Sequence, residues 1–380
     1  MNRKTIHKKA KGAISSIVHY VFMTIAVLAS VAMLLAAYGG HISPDTFALP
    51  SLATLALPIA TVCAAAVLLF LLIFRQWQAS AVLGVCLAIS LPQILRVMPN
   101  NVFSHKLAEG DAERCVKVMS FNVIGFEYRN EYYHERCEPI EYILKEDADV
   151  VCIQEGELDY TLDQIASIKG ETLKKLRSAY PYQTKSLRNV GLLSKVPFKV
   201  VSKKFFRGSN HGFMAHYRLK LKGKEVDLLN VHLESIGLSD DDKDLYREYT
   251  QPTNIKEKMR QLKEVKHGML SKLAHAYRKR AAQAQELRDT LDRLGENVIL
   301  CGDFNDTPAS WAYLTVLGDD MHDTYRERAL GYLHTYHENR FWFHIDHILY
   351  RGQMRAHSYK RPKLILSDHY PVVSTFLFEQ

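Results

Sequence analysis

Cysteine and zinc-binding motifs are scarce in this sequence of 380 residues. The chain has six cysteines, no His-Glu-x-x-His motif and no cysteine spacing of the zinc-finger type, so the sequence offers no zinc site. Four of the cysteines lie in apolar runs and are expected to be small buried residues. Only Cys115 and Cys137 are placed to form a disulfide bond in an oxidising compartment, and the sequence leaves the paired and the free state open.

Acidic residues are almost absent from the first hundred positions, where Asp45 is the one acid beside seven lysines and arginines. Beyond them the chain holds 42 basic and 40 acidic residues, so the net charge of +8 arises mostly from the N-terminal region. The nearly neutral remainder has no overall charge excess for a nucleic acid. The sequence also contains no internal repeat and no low-complexity region.

Long uncharged runs dominate the N-terminal region. Residues 14–37, 47–74 and 77–95 each approach the ~20 residues that a helix needs to cross ~30 Å of hydrocarbon. We therefore predict a membrane anchor of three transmembrane helices over residues 1–100 and a catalytic domain over residues 101–380. The length of the first run and the two runs behind it argue against a cleaved signal peptide.

Basic residues predict the orientation of this anchor, because basic flanks stay in the cytoplasm. Five lysines and arginines precede the first run, the loop 38–46 has none, and Arg75 lies between the second and third runs. Three crossings then place the catalytic domain outside the cytoplasm, in the periplasm of a Gram-negative cell. An even number of spans would reverse this orientation.

The segment 298–306, Val-Ile-Leu-Cys-Gly-Asp-Phe-Asn-Asp, is central to the rest of the chain. Four apolar residues and a glycine predict a buried strand that ends in a turn with two carboxylates and an amide. Thr307 and Pro308 predict the cap and the first residue of a helix that begins near residue 309. Asp303, directly after the strand, is interpreted as functional, whereas Asp306 could serve as a helix cap.

Other predicted strands also end in polar residues. The predicted strands are 116–122, 148–154, 190–195, 198–205, 213–221, 225–233, 298–301, 345–349 and 372–378. The polar residues at or beside their ends are Asn122, Glu155, Asn230, His232, Asp303, Asn305, Asp346, Asp368 and His369. Converging carboxylates repel one another unless a cation lies among them, and oxygen ligands without cysteine suit Mg²⁺ or Mn²⁺. Because a histidine with a carboxylate partner can stabilise or protonate a phosphate oxygen, the pattern predicts phosphoryl hydrolysis.

At these positions the sequence resembles the endonuclease/exonuclease/phosphatase superfamily, which includes DNase I, AP endonucleases, neutral sphingomyelinases and inositol-phosphate phosphatases. The resemblance runs from about residue 116 to residue 378, and its motifs in family order are Ser-Phe-Asn122, Gln-Glu155, Asn230-Val-His232-Leu, Gly-Asp303-Phe-Asn305, Ile-Asp346 and Ser-Asp368-His369. It implies a four-layer DNase I-like α/β sandwich, in which helices flank two mixed β-sheets and the active site lies at one edge.

The resemblance also implies a role for each acid and amide. Glu155 would be the main ligand of a Mg²⁺ or Mn²⁺ ion, with Asn122 and Asp368 beside it. Asp303 would orient or deprotonate the attacking water, and Asn305 would hold water or phosphate.

The two histidines would act on opposite sides of the phosphate. His369, oriented by Asp346, would stabilise the pentacovalent phosphorane. His232, supported by Asn230, would assist the leaving group.

Two departures from the family pattern concern the substrate. Ile124 stands where AP endonucleases carry an acid, which argues against an abasic-site enzyme, and His344 replaces an arginine found in many relatives.

The prediction is a membrane-anchored, Mg²⁺- or Mn²⁺-dependent phosphoester hydrolase, in first place a phosphodiesterase, with no obligate protein partner evident. Its substrate could be a lipid headgroup, a nucleic acid or a soluble phosphate ester.

Two other functions stay open at this point. One is an extracytoplasmic nuclease, and the other is a catalytically silent membrane receptor with the same fold. The complete set of acids and histidines argues against the receptor, because binding alone does not need it.

The segment 235–280 is longer than the family core requires. It begins acidic and then carries nine lysines and arginines over residues 256–280. Apolar residues at positions 259, 262, 265 and 269 predict an amphipathic helix, which would pack on the domain or lie on anionic headgroups.

Overall fold

The computed structural model describes residues 3–102, 107–108, 110–126, 137–156, 170–184, 190–209, 212–235, 255–338 and 341–380, with side chains from residue 16 in the first helix and from residue 271 in the longest one. The α-helices in these ranges are α1 (Arg3–Tyr38), α2 (Leu49–Thr54), α3 (Leu57–Ile73), α4 (Trp77–Val97), α5 (Glu138–Glu146), α6 (Gly170–Ala179), α7 (Ile255–Leu291), α8 (Trp311–Leu317) and α9 (Thr324–Arg328). The strands are β1 (Cys115–Asn122), β2 (Val150–Gln154), β3 (Tyr182–Gln183), β4 (Val190–Ser194), β5 (Phe198–Phe205), β6 (Phe213–Leu221), β7 (Lys224–His232), β8 (Val298–Asp303), β9 (His322–Asp323), β10 (Asp346–Arg351), β11 (Met354–Lys360) and β12 (Val372–Phe378).

The strands form two six-stranded sheets. Their orders are β11-β12-β1-β2-β4-β3 and β5-β6-β7-β8-β10-β9. A parallel pair lies inside each sheet, β1 with β2 and β7 with β8, and the pairs around it are antiparallel. Parallel strands are covered on both faces, which explains the continuous apolar runs of β2 and β8. The predicted two mixed sheets flanked by helices are confirmed.

The sheets pack face to face, with Leu192 and Phe376 from one sheet and Tyr217 and Ile299 from the other in the space between them. Apolar residues of α5 and α6 cover the outer face of the first sheet. Residues of α7 and α8 cover the outer face of the second sheet. The four layers therefore each have an apolar contact with the next.

The sequence predicts nine of the twelve described strands and misses β3, β9 and β11. All three are edge strands of their sheets. An edge strand has a neighbour on one side only, and its sequence therefore carries less apolar pattern. The helix α7 is continuous over 37 residues. Residues 236–254 and the apolar side chains that predict an amphipathic helix lie outside the described residues.

The predicted start of the helix after the Asp303 strand is wrong. Helix α8 begins at Trp311, and its cap is Ser310, whose hydroxyl accepts a hydrogen bond from the Tyr313 amide. Thr307 instead donates its own amide to Asp306 Oδ1. Residues 306–309 are buried, and these tertiary contacts hold them outside the helix.

The N-terminal region is helical, but the three predicted spans are not all confirmed. Among the described residues, Ser16–His41 and Trp77–Val97 are long and apolar enough to cross a membrane. The second predicted run is divided into α2 and α3, and α3 has 17 residues. Helices α1, α3 and α4 pack together, with a hydrogen bond from the Tyr38 hydroxyl to the Ile89 carbonyl at 2.6 Å.

The six cysteines carry free thiols. Cys115 is half-buried and Cys137 is buried, and burial raises the pKa of the Cys137 thiol to about 11. This thiol is therefore protonated and unreactive at neutral pH.

Candidate active site

One edge of the sandwich collects the polar strand ends. Strands β7 and β8 are parallel and end together, with His232 opposite Asp303, while the antiparallel β10 begins at this level with Asp346 opposite Asp303. Gly302 allows this pairing, because a Cβ atom there would lie 2.1 Å from the Val231 carbonyl oxygen. The first sheet ends at the same edge, since Asn122 donates from Nδ2 to Asp303 Oδ2 across 3.0 Å.

Asp303 lies at the centre of the cluster and is 1% exposed. Its Oδ1 accepts a hydrogen bond of 2.7 Å from the Asn305 amide. Its Oδ2 lies 3.7 Å from Nε2 of His232 and 3.7 Å from Nε2 of His369. Burial raises the pKa of Asp303, while the charge of His369 works in the opposite direction. The carboxylate is thus fixed between two imidazoles.

His369 is paired with Asp346. The distance from Nδ1 to Asp346 Oδ2 is 2.8 Å, and the Tyr336 ring lies edge-on with its centroid 5.0 Å away. Thr335 holds the start of β10 because its hydroxyl accepts from the Asp346 amide. Burial alone lowers the pKa of His369, but the nearby acids, Asp346 first, raise it well above its usual value. The Asp346 contact fixes the ring and directs Nε2 toward Asp303.

His232 has a different environment. Neither ring nitrogen has a hydrogen-bond partner within the part of the chain that the structure describes, although both are buried. Its Nε2 lies 3.5 Å from Glu155 Oε1. A buried imidazole without a partner is costly, so this geometry leaves a donor or acceptor position for an incoming group.

The acids on the other side of Asp303 are Glu155 and Asp368. Glu155 follows β2 in a left-handed conformation, with φ of 52°, and its Oε1 accepts from Asn122 Nδ2 at 3.0 Å. Asp368 accepts a hydrogen bond from the Ser367 hydroxyl. Burial raises the pKa of Asp368, and the charges of Glu155 and Asp303 raise it further. Crowded carboxylates of this kind need a cation to be ionised together.

The donor set fits a divalent cation. Glu155, His232 and Asp303 offer ligand atoms within 4.8 Å of one another, as do Asp303, Asp346 and His369. Asp346 Oδ1 is buried and has no hydrogen-bond partner among the described residues. Carboxylate oxygens without cysteine are the ligands of Mg²⁺ and Mn²⁺. In this geometry Asn122 presents its amide nitrogen to the acids, and its Oδ1 accepts from the Ile124 amide at 3.2 Å.

The two remaining asparagines, Asn230 and Asn305, connect the segments that carry the site residues. Asn230 is fully buried, donates to the carbonyls of Ile153 and Gly191, and accepts from Gln154 Nε2 at 2.7 Å. It therefore ties β7 to the end of β2 beneath Glu155. Asn305 has φ of 51° and donates from Nδ2 to the Leu233 carbonyl, so its side chain links the turn after Asp303 to the strand that carries His232.

All nine predicted site residues lie at this edge. His344, which replaces the arginine of many relatives, is fully buried. Its ring stacks on Tyr325 with the ring centroids 3.8 Å apart, so its side chain packs inside the protein and does not face the acids.

The sequence misses Arg280, which pairs with Asp306 inside the protein at 3.2 Å. Asp306 is therefore structural, although its partner is Arg280 and not a helix terminus.

Two family profiles match parts of this sequence. The profile of the Endonuclease/Exonuclease/phosphatase family matches residues 140–369, and a domain of unknown function (DUF8431) matches residues 19–97. The search of curated proteins gave no match.

Three solved structures are similar to part of this chain. An endonuclease/exonuclease/phosphatase from Bacteroides vulgatus has 18% identity and a TM-score of 0.46, with 70% of this chain and 99% of that chain covered. The human Nocturnin catalytic domain with bound sulfate has 17% identity and a TM-score of 0.45, with 70% and 95% covered. A Bacteroides thetaiotaomicron mannosyl-6-phosphatase has 18% identity and a TM-score of 0.44, with 69% and 100% covered. The family profile spans more than half of the sequence, and the chain belongs to the endonuclease/exonuclease/phosphatase family, whose members are metal-dependent phosphoester hydrolases.

Proposed function

We propose that this protein is a membrane-anchored phosphodiesterase that depends on Mg²⁺ or Mn²⁺ and uses in-line attack by water. The observation that carries the proposal is the position of Asp303 Oδ2. It lies 3.7 Å from Nε2 of His232 and of His369, and it accepts a hydrogen bond from Asn122 Nδ2 beside Glu155. One site thus combines a base, two imidazoles and a set of acids.

The metal side consists of Glu155 and Asp368, with Asn122 beside them. A divalent cation held there would neutralise charge on the phosphate oxygens. For Asn122 to offer its oxygen, its amide must turn over from the orientation that bridges Glu155 and Asp303. The crowding of acids supports this assignment, because it raises the cost of ionising them without a cation.

The other residues position water and phosphate. Asp303 orients the attacking water and accepts its proton through Oδ2, which loses the hydrogen bond from Asn122 when that amide turns over, whereas Oδ1 stays held by the Asn305 amide. His369 is fixed by Asp346 and presents Nε2 to a phosphate oxygen. His232 has both nitrogens free of hydrogen bonds among the described residues, and we assign it to the leaving group.

The packing of the N-terminal helices supports an anchor with three spans over residues 1–100 and a catalytic domain over residues 101–380. The loop after α1 and the end of α4 both contact the catalytic domain, so they lie on one side of the helix bundle. Helix α3 must then return the chain to the other side, where Arg75 follows it, and its 17 residues reach about 25 Å. With basic residues at the N-terminus, this arrangement supports a catalytic domain outside the cytoplasm.

Turnover of the full chain in detergent tests the proposed reaction. Bis(p-nitrophenyl) phosphate and p-nitrophenyl phosphate should be compared with Mg²⁺, with Mn²⁺ and with excess EDTA. We expect metal-dependent hydrolysis with a preference for the diester. Full activity in EDTA would refute the metal assignment, and absence of turnover on diesters, monoesters and DNA alike would favour the silent receptor.

Protease added to intact spheroplasts tests the orientation. Cleavage beyond residue 100 is expected without lysis. A domain that is digested only after lysis would mean that α3 does not span the membrane.

A further inference from the structure

The anchor is docked on the same edge of the sandwich that carries the active site. Gly40, in the loop after α1, lies against the Ala309 carbonyl so closely that a Cβ atom on it would be 1.8 Å from that oxygen. Ala309 belongs to the apolar cluster of the N-terminal helices. It lies four positions after Asn305, in the loop that leaves the active site. The outer end of α1 is therefore next to the catalytic loop.

The outer end of α4 reaches the same edge from another side. The Val97 carbonyl accepts a hydrogen bond of 2.7 Å from the Tyr325 hydroxyl. Tyr332 packs against the cluster formed by α1, α3 and α4. Two separate ends of the anchor thus hold the catalytic domain, which restricts its rotation above the membrane.

A series of rings leads from this contact to the catalytic histidine. The Tyr332 hydroxyl donates to the Trp342 carbonyl, and the Trp342 ring lies 6.2 Å from His334. His334 lies 5.7 Å from Tyr370, the residue that directly follows His369. The active site is therefore only a few side chains away from the end of a membrane helix.

The rim of the site on this side is apolar and basic. Trp342 is 60% exposed, Ile365 56% and Leu364 39%. Lys363 lies next to these apolar residues and is also exposed. Exposed tryptophan and aliphatic side chains beside a lysine are typical of the boundary between headgroups and acyl chains.

Arg361 adds a position for an anion. Its guanidinium lies 4.6 Å from the centre of the Tyr370 ring, and its Nε and Nη1 are buried without a hydrogen-bond partner among the described residues. Two buried donors on a cation carry a large desolvation cost unless an acceptor is bound, and an anionic oxygen is the best acceptor for this fork.

We propose that the active-site edge faces the bilayer that holds the anchor and that the substrate is an anionic lipid phosphoester of that same bilayer. Trp342, Leu364 and Ile365 lie in the headgroup layer, and Arg361 binds the headgroup next to the scissile phosphate. The proposal rests on the proposed function for its chemistry and on the three-span anchor for its geometry.

Tryptophan fluorescence tests the orientation without any assay of activity. The chain has three tryptophans, so Trp77→Phe with Trp311→Phe leaves Trp342 as the single emitter. This variant is reconstituted in vesicles of phosphatidylcholine and phosphatidylglycerol, with and without bromine on the first part of the acyl chains. We expect strong quenching by the brominated lipid. Absence of quenching would overturn the proposal.

A matched control moves the emitter to the opposite edge. Lys220 is exposed near the far end of β6, seven residues from Phe213, which pairs with His232, so it lies about 24 Å along the strand from the active-site end. In a chain with all three tryptophans changed to phenylalanine, Lys220→Trp should not be quenched. Equal quenching at both positions would mean that the domain has no fixed face toward the membrane, which also overturns the proposal.

A pair of chromogenic diesters tests the substrate class. Hexadecyl p-nitrophenyl phosphate in vesicles and ethyl p-nitrophenyl phosphate in solution have the same scissile bond. Trp342→Ala with Ile365→Ser should lower hydrolysis of the hexadecyl ester about tenfold and leave that of the ethyl ester within about twofold. Lys220→Met, at an exposed position of the far end, should change neither.

The outcomes separate this inference from the proposed function. Equal loss on both esters would show that the rim residues only support the site, and no loss on either would show that they do not meet lipid; both results contradict the proposal. If the wild-type chain hydrolyses neither ester, the proposed function fails, and the quenching result alone decides whether the edge faces the bilayer.

Discussion

Buried acids at the two ends of the sandwich have pKa values shifted in opposite directions. At the active-site end, burial raises the pKa of Asp303, and other acids surround it. At the far end, burial also raises the pKa of Asp227, but hydrogen bonds from His216 and Arg218 outweigh it and hold that pKa below its usual value. The first arrangement stores unfavourable negative charge that a bound cation can relieve, whereas the second stabilises the folded chain by itself.

The backbone is strained at more positions of the active-site end. Ile124, Phe126, Glu155 and Asn305 are non-glycine residues with positive φ there, whereas the far end has two, Asp147 in the cap of α5 and Lys222 in the turn between β6 and β7. Such conformations cost about 1–3 kcal/mol each and persist only where neighbouring contacts enforce them. The far end compensates with complete ion pairs, such as Asp320 between Arg288 and Arg351, which lower the pKa of Asp320 against the effect of its burial. Stability and function are thus assigned to opposite edges of one fold.

The largest expected effect is on turnover. Asp303→Asn should lower kcat roughly a thousandfold, because it removes the base while keeping the volume of the side chain. Its melting temperature should be unchanged or higher, since one repelled acid is gone. Initial rates on bis(p-nitrophenyl) phosphate and a thermal melt of the full chain in detergent measure both. Equal activity of variant and wild type would remove Asp303 from the mechanism.

Asp306 belongs to the same loop as Asp303, but, like the paired acids of the far end, it should contribute to stability and not to turnover. Arg280→Met leaves Asp306 buried without its partner and should lower the free energy of unfolding by about 3–5 kcal/mol. The double variant Arg280→Met with Asp306→Leu removes both charges and should recover most of this loss. Denaturant titration followed by fluorescence measures it. A small effect of the single variant would contradict a structural role for the pair.

The metal side should respond in affinity more than in rate. Glu155→Gln should raise the Mg²⁺ concentration for half-maximal activity about 10–100-fold, because a neutral amide is a weaker ligand than a carboxylate. A Mg²⁺ titration of activity measures the shift, with Glu171→Gln on α6 as the control for loss of a remote exposed acid. An unchanged titration midpoint would exclude Glu155 as the main ligand.

The smallest effect is expected at the far end. Asp227→Asn should cost about 1–3 kcal/mol of stability at neutral pH and leave kcat unchanged. Because the folded-state pKa of Asp227 is lowered, its contribution is present above its unfolded pKa of about 3.9 and is lost as the pH falls through the folded value. The stability difference between variant and wild type should therefore shrink below about pH 4. A difference that persists in acid would mean that the charge of Asp227 is not its source.

The sequence by itself determines the elements of this site. The apolar run before Gly302 and the polar residue after each strand are local features, and period and breaker residues locate them without knowledge of the fold. Because parallel strands and the antiparallel strands beside them share one edge, the nine site residues are brought together once the strands pair. This is why polar residues at strand ends predict a common site, whereas the arrangement of the strands in two packed sheets is implied only by the resemblance to the family.

Only the tertiary structure decides the features that join remote segments. Arg280 on α7 neutralises Asp306 in the loop before α8. Ser310 replaces Thr307 as the cap because that loop is buried, and Tyr332 connects Trp342 to the N-terminal helices. None of these residues has a local pattern that names its partner, since each contact depends on how two distant surfaces meet. The direction in which the active site faces is set by such contacts alone.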